Sequence, residues 1–205
     1  VTWSPDNHHL AIVDQVINQS TALVLIDTEQ DEPPRALIKE TPYLLGRPQW
    51  SPISDLIAFM WSAGEGGRGS HLWIIQPNGG EQKQLTNNVS GRGGLPLWAS
   101  NGEWVAFSGQ IQYEETSNNS DLWLISPSKH MFKRLTNSQT NSSAPGSAVS
   151  ALMPLWTPDD VQLVFVRVPL EGELTEIWVI SLADGSERKL LETVNIFDAS
   201  LMVGR

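Results

Sequence analysis

The sequence predicts an all-β protein with the β-propeller fold, because one motif recurs four times and each copy contains four short strand-like segments. Each copy begins with a tryptophan that is followed by a polar turn, and these tryptophans are Trp3, Trp50, Trp98 and Trp156. Regular self-similarity means that each copy is one supersecondary unit, which must stack on its neighbours to bury its apolar faces. Four antiparallel strands per unit, repeated radially, describe propeller blades. A β-sandwich, the alternative, does not require the same tryptophan in the same strand of successive units.

The first two strands of each unit are joined by a tight turn after the tryptophan. Proline presets φ for such a turn, and Asp, Asn and Gly stabilise or tolerate its remaining positions. The second strand is a short apolar run that is rich in β-forming residues and bounded by turn signals, as expected of a buried strand. The predicted second strands are residues 10–13, 56–60, 104–107 and 163–166.

Two further segments complete each unit. The third strand is again apolar, at residues 22–26, 71–75, 121–125 and 176–180. The fourth strand is more polar, at residues 34–38, 83–86, 133–136 and 188–191. The predicted blades are therefore residues 1–40, 41–88, 89–138 and 139–192, and residues 193–205 are expected to begin a further blade.

The full pattern is P-x-W-S-P-D, then I-A-F, L-W-I-I, G-G and Q-L-T, and it resembles the repeat of TolB-type propellers, a WD-like family. The resemblance extends from Val1 to about Leu191 and is strongest in the second and third copies. The first copy has Val24 in place of the third-strand tryptophan, and the fourth has Leu190-Leu191 where the family has Leu-Thr. The resemblance implies a bacterial protein, with a periplasmic or extracellular location favoured over the cytoplasm.

Blade number is the main point that the repeat leaves open. Propellers have four to eight blades, and the resemblance implies six or seven, so we expect an open four-blade segment of a larger, six- to eight-bladed propeller. A closed four-blade ring and a homodimer of two such segments are the alternatives. An isolated arc would expose its first strands near Trp3 and its last blade near Trp178, and we expect it to self-associate through these open ends.

Composition excludes several classes of function. The formal net charge of −10 argues against non-specific binding to nucleic acid, which needs a basic footprint. No segment approaches the ~20 apolar residues of a membrane-spanning helix, so no membrane insertion is expected. Cysteine is absent, which excludes disulfides and thiolate chemistry.

No pattern of residues indicates catalysis. A G-x-S-x-G nucleophile elbow is absent, and the glycine-rich residues 66–70 lack the spacing of a phosphate-binding loop. No H-x-x-x-H pair supports a metal site. We therefore expect no catalytic residue, no cofactor and no metal, and we interpret the recurrent tryptophans as packing residues between blades and not as a ligand cage.

The long loops all fall on one face of the predicted disc, which we call the loop face, and the short turns fall on the opposite turn face. The loop face is predicted to comprise residues 14–20, 41–47, 61–70, 87–94, 108–120, 137–153 and 167–175. Long loops on a rigid scaffold are where recognition usually occurs. Aromatic residues and arginine are enriched at interface hot spots, and charged residues set partner choice. The candidate partner-binding residues are Tyr43, Arg47, Arg68, Arg92, Tyr113, Glu114, Glu115, Arg167 and Glu171.

These observations favour a non-enzymatic scaffold that binds a protein partner through the loop face. Two alternatives remain open. The chain could be the non-catalytic propeller domain of a larger enzyme, such as a prolyl-oligopeptidase-type serine peptidase, since similar propellers occur in that family. It could also be the sensor module of a regulatory protein.

Overall fold

The computed structural model describes nine segments of the chain, and within them the protein is all-β. The described residues are 1–15, 20–43, 45–62, 70–87, 89–91, 95–111, 119–138, 149–169 and 175–193. They form four antiparallel sheets of four consecutive strands, and the third sheet carries one additional short strand. The predicted architecture of four consecutive four-stranded blades is confirmed. The expected start of a further blade, after residue 193, lies outside the described residues.

The strands follow the chain in order. Blade 1 contains β1 (Thr2–Trp3), β2 (His9–Gln15), β3 (Thr21–Asp27) and β4 (Arg35–Thr41). Blade 2 contains β5 (Gln49–Trp50), β6 (Ile57–Trp61), β7 (His71–Ile75) and β8 (Lys83–Gln84). Blade 3 contains β9 (Val89–Gly91), β10 (Leu97–Trp98), β11 (Val105–Ile111), β12 (Asp121–Ser126) and β13 (Met131–Arg134). Blade 4 contains β14 (Val149–Trp156), β15 (Gln162–Pro169), β16 (Thr175–Ser181) and β17 (Glu187–Thr193).

The four blades share one register. The first-strand tryptophan is paired with an aliphatic residue of the second strand, which is paired with an isoleucine of the third. These rows are Trp3–Leu10–Ile26, Trp50–Ile57–Ile75, Trp98–Val105–Ile125 and Trp156–Leu163–Ile180. Side chains alternate between the two faces of a strand. In blades 2–4 these rows pack against the preceding blade, and we call this side of a blade its backward face. The residues next to them in each strand point to the opposite side, which we call the forward face.

Three hydrophobic cores lie between successive blades. In each core, the forward face of one blade contributes a small alanine, and the backward face of the next contributes a tryptophan and a fully buried phenylalanine. The alanine leaves room for the large rings of the facing blade, since small and large residues on facing positions allow two layers to interdigitate. The alanines are Ala11, Ala58 and Ala106, and the phenylalanines are Phe59, Phe107 and Phe165.

The indoles also form hydrogen bonds between blades. Trp98 Nε1 donates to the carbonyl of Gln49 at 3.2 Å, and Trp156 Nε1 donates to the carbonyl of Leu97 at 2.9 Å. The recurrent tryptophans of blades 2–4 therefore pack between blades, as predicted. Trp3 differs because it is 53% exposed.

Strands extend further towards the loop face than the sequence indicates. The short strand β9 pairs with the far end of β11, Leu45 forms an isolated bridge with Trp61, and β14 continues through a bulge after Leu152. These pairings provide hydrogen-bond partners for backbone groups that would otherwise be left unpaired near the blade. The predicted loops 14–20, 41–47, 61–70, 87–94, 108–120, 137–153 and 167–175 are accordingly too long.

The turns after the first strand are held by short polar side chains. In blade 4, the Thr157 hydroxyl donates to Asp159 at 2.6 Å and accepts the N–H of Gln162 at 3.1 Å. In blade 1, Ser4 donates in the same way to Asp6. One turn also clamps its neighbour: the Asp160 carboxylate accepts the N–H of Ser100 at 2.9 Å and the N–H of Asn101 at 3.0 Å.

These hydrogen bonds favour the ionised carboxylates. The Ser4 hydroxyl lowers the pKa of Asp6, and the Thr157 hydroxyl lowers the pKa of Asp159. The backbone N–H and hydroxyl of Ser186 lower the pKa of Asp184 to about 2. The turns of the propeller therefore depend on negative charge at several aspartates.

Stability should fall in acid as a result. A carboxylate with a lowered folded-state pKa stabilises the fold fully above its unfolded pKa of about 3.9, and this contribution is lost as the pH falls through the folded value. We expect the urea midpoint to fall between about pH 5 and pH 2. Asp184→Asn should flatten that decline, because it removes one of the carboxylates that contribute to it. An equal pH dependence in wild type and Asp184→Asn would contradict the assignment.

Candidate functional site

The structure describes three of the nine candidate partner-binding residues, namely Tyr43, Arg47 and Arg167. The other six, Arg68, Arg92, Tyr113, Glu114, Glu115 and Glu171, lie outside the described residues.

Arg167 does not lie in a loop, which corrects its predicted position. It belongs to β15, where it is paired with Glu176 of β16. Its buried guanidinium forms an ion pair with Glu187 and lies 4.1 Å from the ring centroid of Trp178, which is a cation–π contact. The strand register brings these side chains together within blade 4, so Arg167 contributes to the packing of its own blade.

Tyr43 and Arg47 lie on the connection between blades 1 and 2, and this connection is held firmly. The buried Thr21 hydroxyl donates to the carbonyl of Tyr43 at 2.7 Å and accepts the N–H of Leu45 at 3.2 Å. The N–H of Gly46 donates to the carbonyl of Met60 at 2.6 Å. These bonds tie the connection to β3 on one side and to β6 on the other.

The side chains on this frame differ in exposure. Arg47 is exposed and Tyr43 is half-buried, whereas Leu45 between them packs into the first interblade core. The arrangement presents an aromatic side chain and a cation from a segment whose backbone is fixed. The sequence analysis did not identify Thr21 as the residue that holds this connection in place. The signal that could have identified it is a polar residue at the loop-face end of a third strand.

A second candidate site lies on the turn face, between blades 1 and 2. It is a cavity of about 730 Å³, within the range of small-molecule pockets. It is lined by Ser4, Asp6, His9, Leu25 and Arg35 of blade 1 and by Trp50, Asp55, Pro77 and Asn78 of blade 2, among others.

Polar groups of this cavity already have structural partners. Asp6 accepts from Ser4 and from the N–H of His8, and Arg35 donates to the carbonyls of Pro77 and Asn78 across the blade junction. His9 lies 3.9 Å from both Asp6 and Asp27, and 6.3 Å separates its ring centroid from that of Trp50. These contacts join the two blades. In the described lining, the Ser4 hydroxyl donates to Asp6 and not to the ring of His9, so these residues do not form the serine–histidine–carboxylate chain of a nucleophilic enzyme.

A buried acid in blade 3 is explained by structure and not by catalysis. Asp121 is 3% exposed and accepts hydrogen bonds from Arg134, from the Thr136 hydroxyl at 2.9 Å and from the N–H of Ser138 at 2.8 Å. The equivalent pair in blade 4 is Glu176 with Lys189, at 2.9 Å. Sequence analysis did not single out either pair, although each acid stands two residues before the third-strand tryptophan.

The described part of the chain contains no group of three or more His, Asp or Glu side chains that could hold a metal ion. It also contains no helix of sufficient length and apolar character to cross a bilayer.

No protein-family model matches the sequence. Among curated proteins, the chain is 24% identical to the uncharacterised peptidase YuxL of Bacillus subtilis (strain 168), over 60% of this chain and 23% of that protein. The chain thus spans less than a quarter of the length of this relative.

Solved structures match nearly the whole chain. A putative TolB from Agrobacterium tumefaciens matches 93% of this chain and 63% of its own, with a TM-score of 0.66 and 18% identity. An oligogalacturonate lyase from Vibrio parahaemolyticus matches 93% of this chain and 53% of its own, with a TM-score of 0.66 and 14% identity. Peptidases are also among the matched structures. The TolB-type propeller resemblance is confirmed, and at these identities the likeness concerns the fold.

Proposed function

We propose that the protein is a non-enzymatic interaction scaffold that binds a protein partner through its loop face. The observation that carries the proposal is the presentation of Tyr43 and Arg47 on a connection that Thr21 and Met60 hold by hydrogen bonds. Aromatic residues and arginine dominate interface hot spots, and a fixed backbone lowers the entropy lost on binding. The remaining proposed contacts are Arg68, Arg92, Tyr113, Glu114, Glu115 and Glu171 in the neighbouring loops.

The acidic residues whose pKa is shifted have structural roles in turns and ion pairs. Hydrogen bonds outweigh burial and hold the pKa of Asp160 and Glu176 below the usual range, and hydrogen bonds also lower those of Asp6, Asp159 and Asp184. A general acid at neutral pH requires the opposite shift. These described carboxylates therefore suit structural roles in turns and ion pairs.

The test is photo-crosslinking in the parent organism followed by titration of the captured partner. A photoreactive amino acid at position 43 should capture one partner, and the same probe at Phe132, on the turn-face side of blade 3, should not. With the purified partner, Tyr43→Ala together with Arg47→Ala should weaken binding by ~10-fold or more, since both residue types are typical hot spots.

The matched control replaces an exposed aromatic residue and an exposed cation elsewhere. Phe132→Ala with Lys129→Ala removes the same two chemical types, and the wild-type affinity is expected. If the control pair weakens binding and the Tyr43 and Arg47 pair does not, the binding surface is the turn face with its cavity, and the proposal is wrong.

A second candidate function is that of the non-catalytic propeller domain of a serine peptidase. The sequence match to the Bacillus subtilis peptidase favours it. The match covers less than a quarter of that protein, so most of the relative lies outside the matched region. A fluorophosphonate probe, which labels activated serines, decides between the two functions when it is applied to the parent polypeptide. Labelling would support the peptidase, and a parent that remains unlabelled under conditions that label a control serine hydrolase would contradict it.

A further inference from the structure

The cavity on the turn face lies at a junction where the facing turns of two blades stand apart. At the junction of blades 3 and 4, the Asp160 carboxylate bonds to the turn of blade 3. At the junction of blades 2 and 3, Ile53 lies so close to Gly102 that a Cβ atom there would overlap with it. The equivalent residue of blade 2 is Ser54, whose hydroxyl donates to Ser51 of its own turn at 2.8 Å. The turns of blades 1 and 2 therefore leave space for the cavity between them.

The interblade indole bond is also missing at this junction. Trp98 and Trp156 each donate to a carbonyl of the preceding blade. Trp50 occupies the same position of the repeat and is 7% exposed, but its Nε1 has no hydrogen-bond partner among the described residues. A buried donor without an acceptor destabilises the fold. Because Trp50 lines the cavity, a ligand that carries an acceptor atom would remove this cost.

The cavity also contains two carboxylates, one from each blade. The Ser4 hydroxyl and the N–H of His8 both donate to Oδ1 of Asp6, so Oδ2 receives no hydrogen bond from the described residues. Asp55 is exposed and has no hydrogen-bond or ion-pair partner in the described part of the chain. Ionised carboxylates can only accept hydrogen bonds. A ligand of this cavity must therefore supply donors.

The basic residues of the lining do not neutralise these carboxylates. Arg35 Nη1 and Nη2 donate to the carbonyls of Asn78 and Pro77, so the guanidinium is held by the backbone of blade 2. His9 Nδ1 lies 3.9 Å from Asp6 Oδ1, which is too far for a hydrogen bond. The lining thus keeps an excess of negative charge, which favours a positively charged ligand.

The remaining lining is apolar and rigid. Leu25 and Trp50 are buried, and three prolines come from the turns of both blades, namely Pro5, Pro52 and Pro77. Proline fixes φ, so these turns are constrained before a ligand binds, and such preorganisation lowers the cost of binding. An apolar chain on the ligand would pack against these residues.

We propose that this cavity binds a small organic cation that carries a hydrogen-bond acceptor on an apolar chain, which is the chemistry of an arginine or lysine amide. The cation pairs with Asp55 and with Oδ2 of Asp6, and the acceptor binds Trp50 Nε1. The site lies on the turn face, opposite Tyr43 and Arg47, so it is independent of the proposed partner-binding surface.

Calorimetric titration of the parent polypeptide with arginine amide tests the proposal, and citrulline amide is the neutral comparison. Citrulline replaces the guanidinium by an uncharged urea group of nearly the same shape. Because charge-assisted hydrogen bonds are roughly twice as strong as neutral ones, arginine amide should bind ~10-fold or more tightly than citrulline amide. Equal binding of the two compounds, or no binding of arginine amide at millimolar concentration, would overturn the proposal.

Asp55→Asn locates the cation. It should weaken the binding of arginine amide by ~10-fold and leave the fold intact, because Asp55 is exposed and has no partner in the described structure. The matched control is Glu103→Gln, which removes one negative charge from the turn of blade 3, where Glu103 pairs with Lys129. This control should bind as the wild type does. Unchanged binding by Asp55→Asn, or an equal loss in Glu103→Gln, would contradict the assigned contact.

Trp50→Phe locates the acceptor. It keeps an aromatic ring but removes the N–H, so it should weaken the binding of arginine amide by ~3-fold or more. Trp156→Phe makes the same change at the junction of blades 3 and 4, where the indole bonds to Leu97, and it should leave binding unchanged. Circular dichroism confirms that both variants keep the wild-type strand content. Wild-type affinity in Trp50→Phe would contradict the assigned position of the ligand.

A capped tripeptide with arginine between two alanines distinguishes the two sources of this chemistry. Tighter binding of the tripeptide than of arginine amide would identify the occupant as a basic residue of a peptide, and weaker binding would identify it as a free small molecule. Either result supports the site if Asp55→Asn lowers the affinity for the tighter ligand. Retained affinity in that variant would overturn the proposal.

Discussion

Phe107→Ala should lower the free energy of unfolding by about 3–5 kcal/mol. Phe107 is 1% exposed and lies in the core between blades 2 and 3, paired in register with Trp123. Truncation removes buried apolar surface and leaves a cavity that two rigid sheets cannot collapse to fill. Urea denaturation followed by far-ultraviolet circular dichroism gives the measurement.

The matched control for this variant is Phe132→Ala. Phe132 stacks on Trp123 with ring centroids 4.9 Å apart, but it is 43% exposed on β13. Its truncation should cost about 1 kcal/mol, because nearly half of the residue is already exposed to water. Equal losses for the two phenylalanines would contradict the assignment of Phe107 to the interblade core.

Asp121→Asn should lower the free energy of unfolding by about 3 kcal/mol, a loss second to that of Phe107→Ala. It keeps the shape of the side chain but removes the charge that balances Arg134, and it places an amide donor against the buried donors of Thr136 and Ser138. A buried donor that has no acceptor destabilises the fold by its full desolvation cost. Differential scanning calorimetry and urea titration both give the loss in stability.

Glu176→Gln is the corresponding change in blade 4. Lys189, the partner of Glu176, is largely solvated, so this pair should contribute less than about 1 kcal/mol. High salt should reduce the difference between wild type and Glu176→Gln and leave the Asp121→Asn loss mostly intact, since buried pairs are screened less. A larger loss for Glu176→Gln than for Asp121→Asn would refute this ranking.

The sequence predicted the blades because their determinants are local and periodic. The Trp–turn–strand pattern repeats in each copy, and the continuous apolar runs of β6 and β11 are buried on both faces, as expected of strands that lie between two neighbouring blades. The packing of the blade 2–4 tryptophans between blades was predicted from the same regular spacing.

The remaining features depend on register and on contacts between distant segments. The position of Arg167 requires knowing that β15 continues past it and that Glu187 lies close by in the folded sheet. The hydrogen bonds around Asp121 connect residues 13 to 17 positions apart, and the cavity beside His9 depends on the spacing of two blades. No local motif encodes these distances.

The alanine of each forward face acts as a spacer of defined thickness. Ala11, Ala58 and Ala106 stand at the three described junctions between neighbouring sheets, whereas blade 4 has the larger Val164 at the equivalent position. Because the blades are wedges around an axis, the thickness of this layer determines the angle between them. We therefore expect larger residues at this one position of the repeat to change the angle between neighbouring blades.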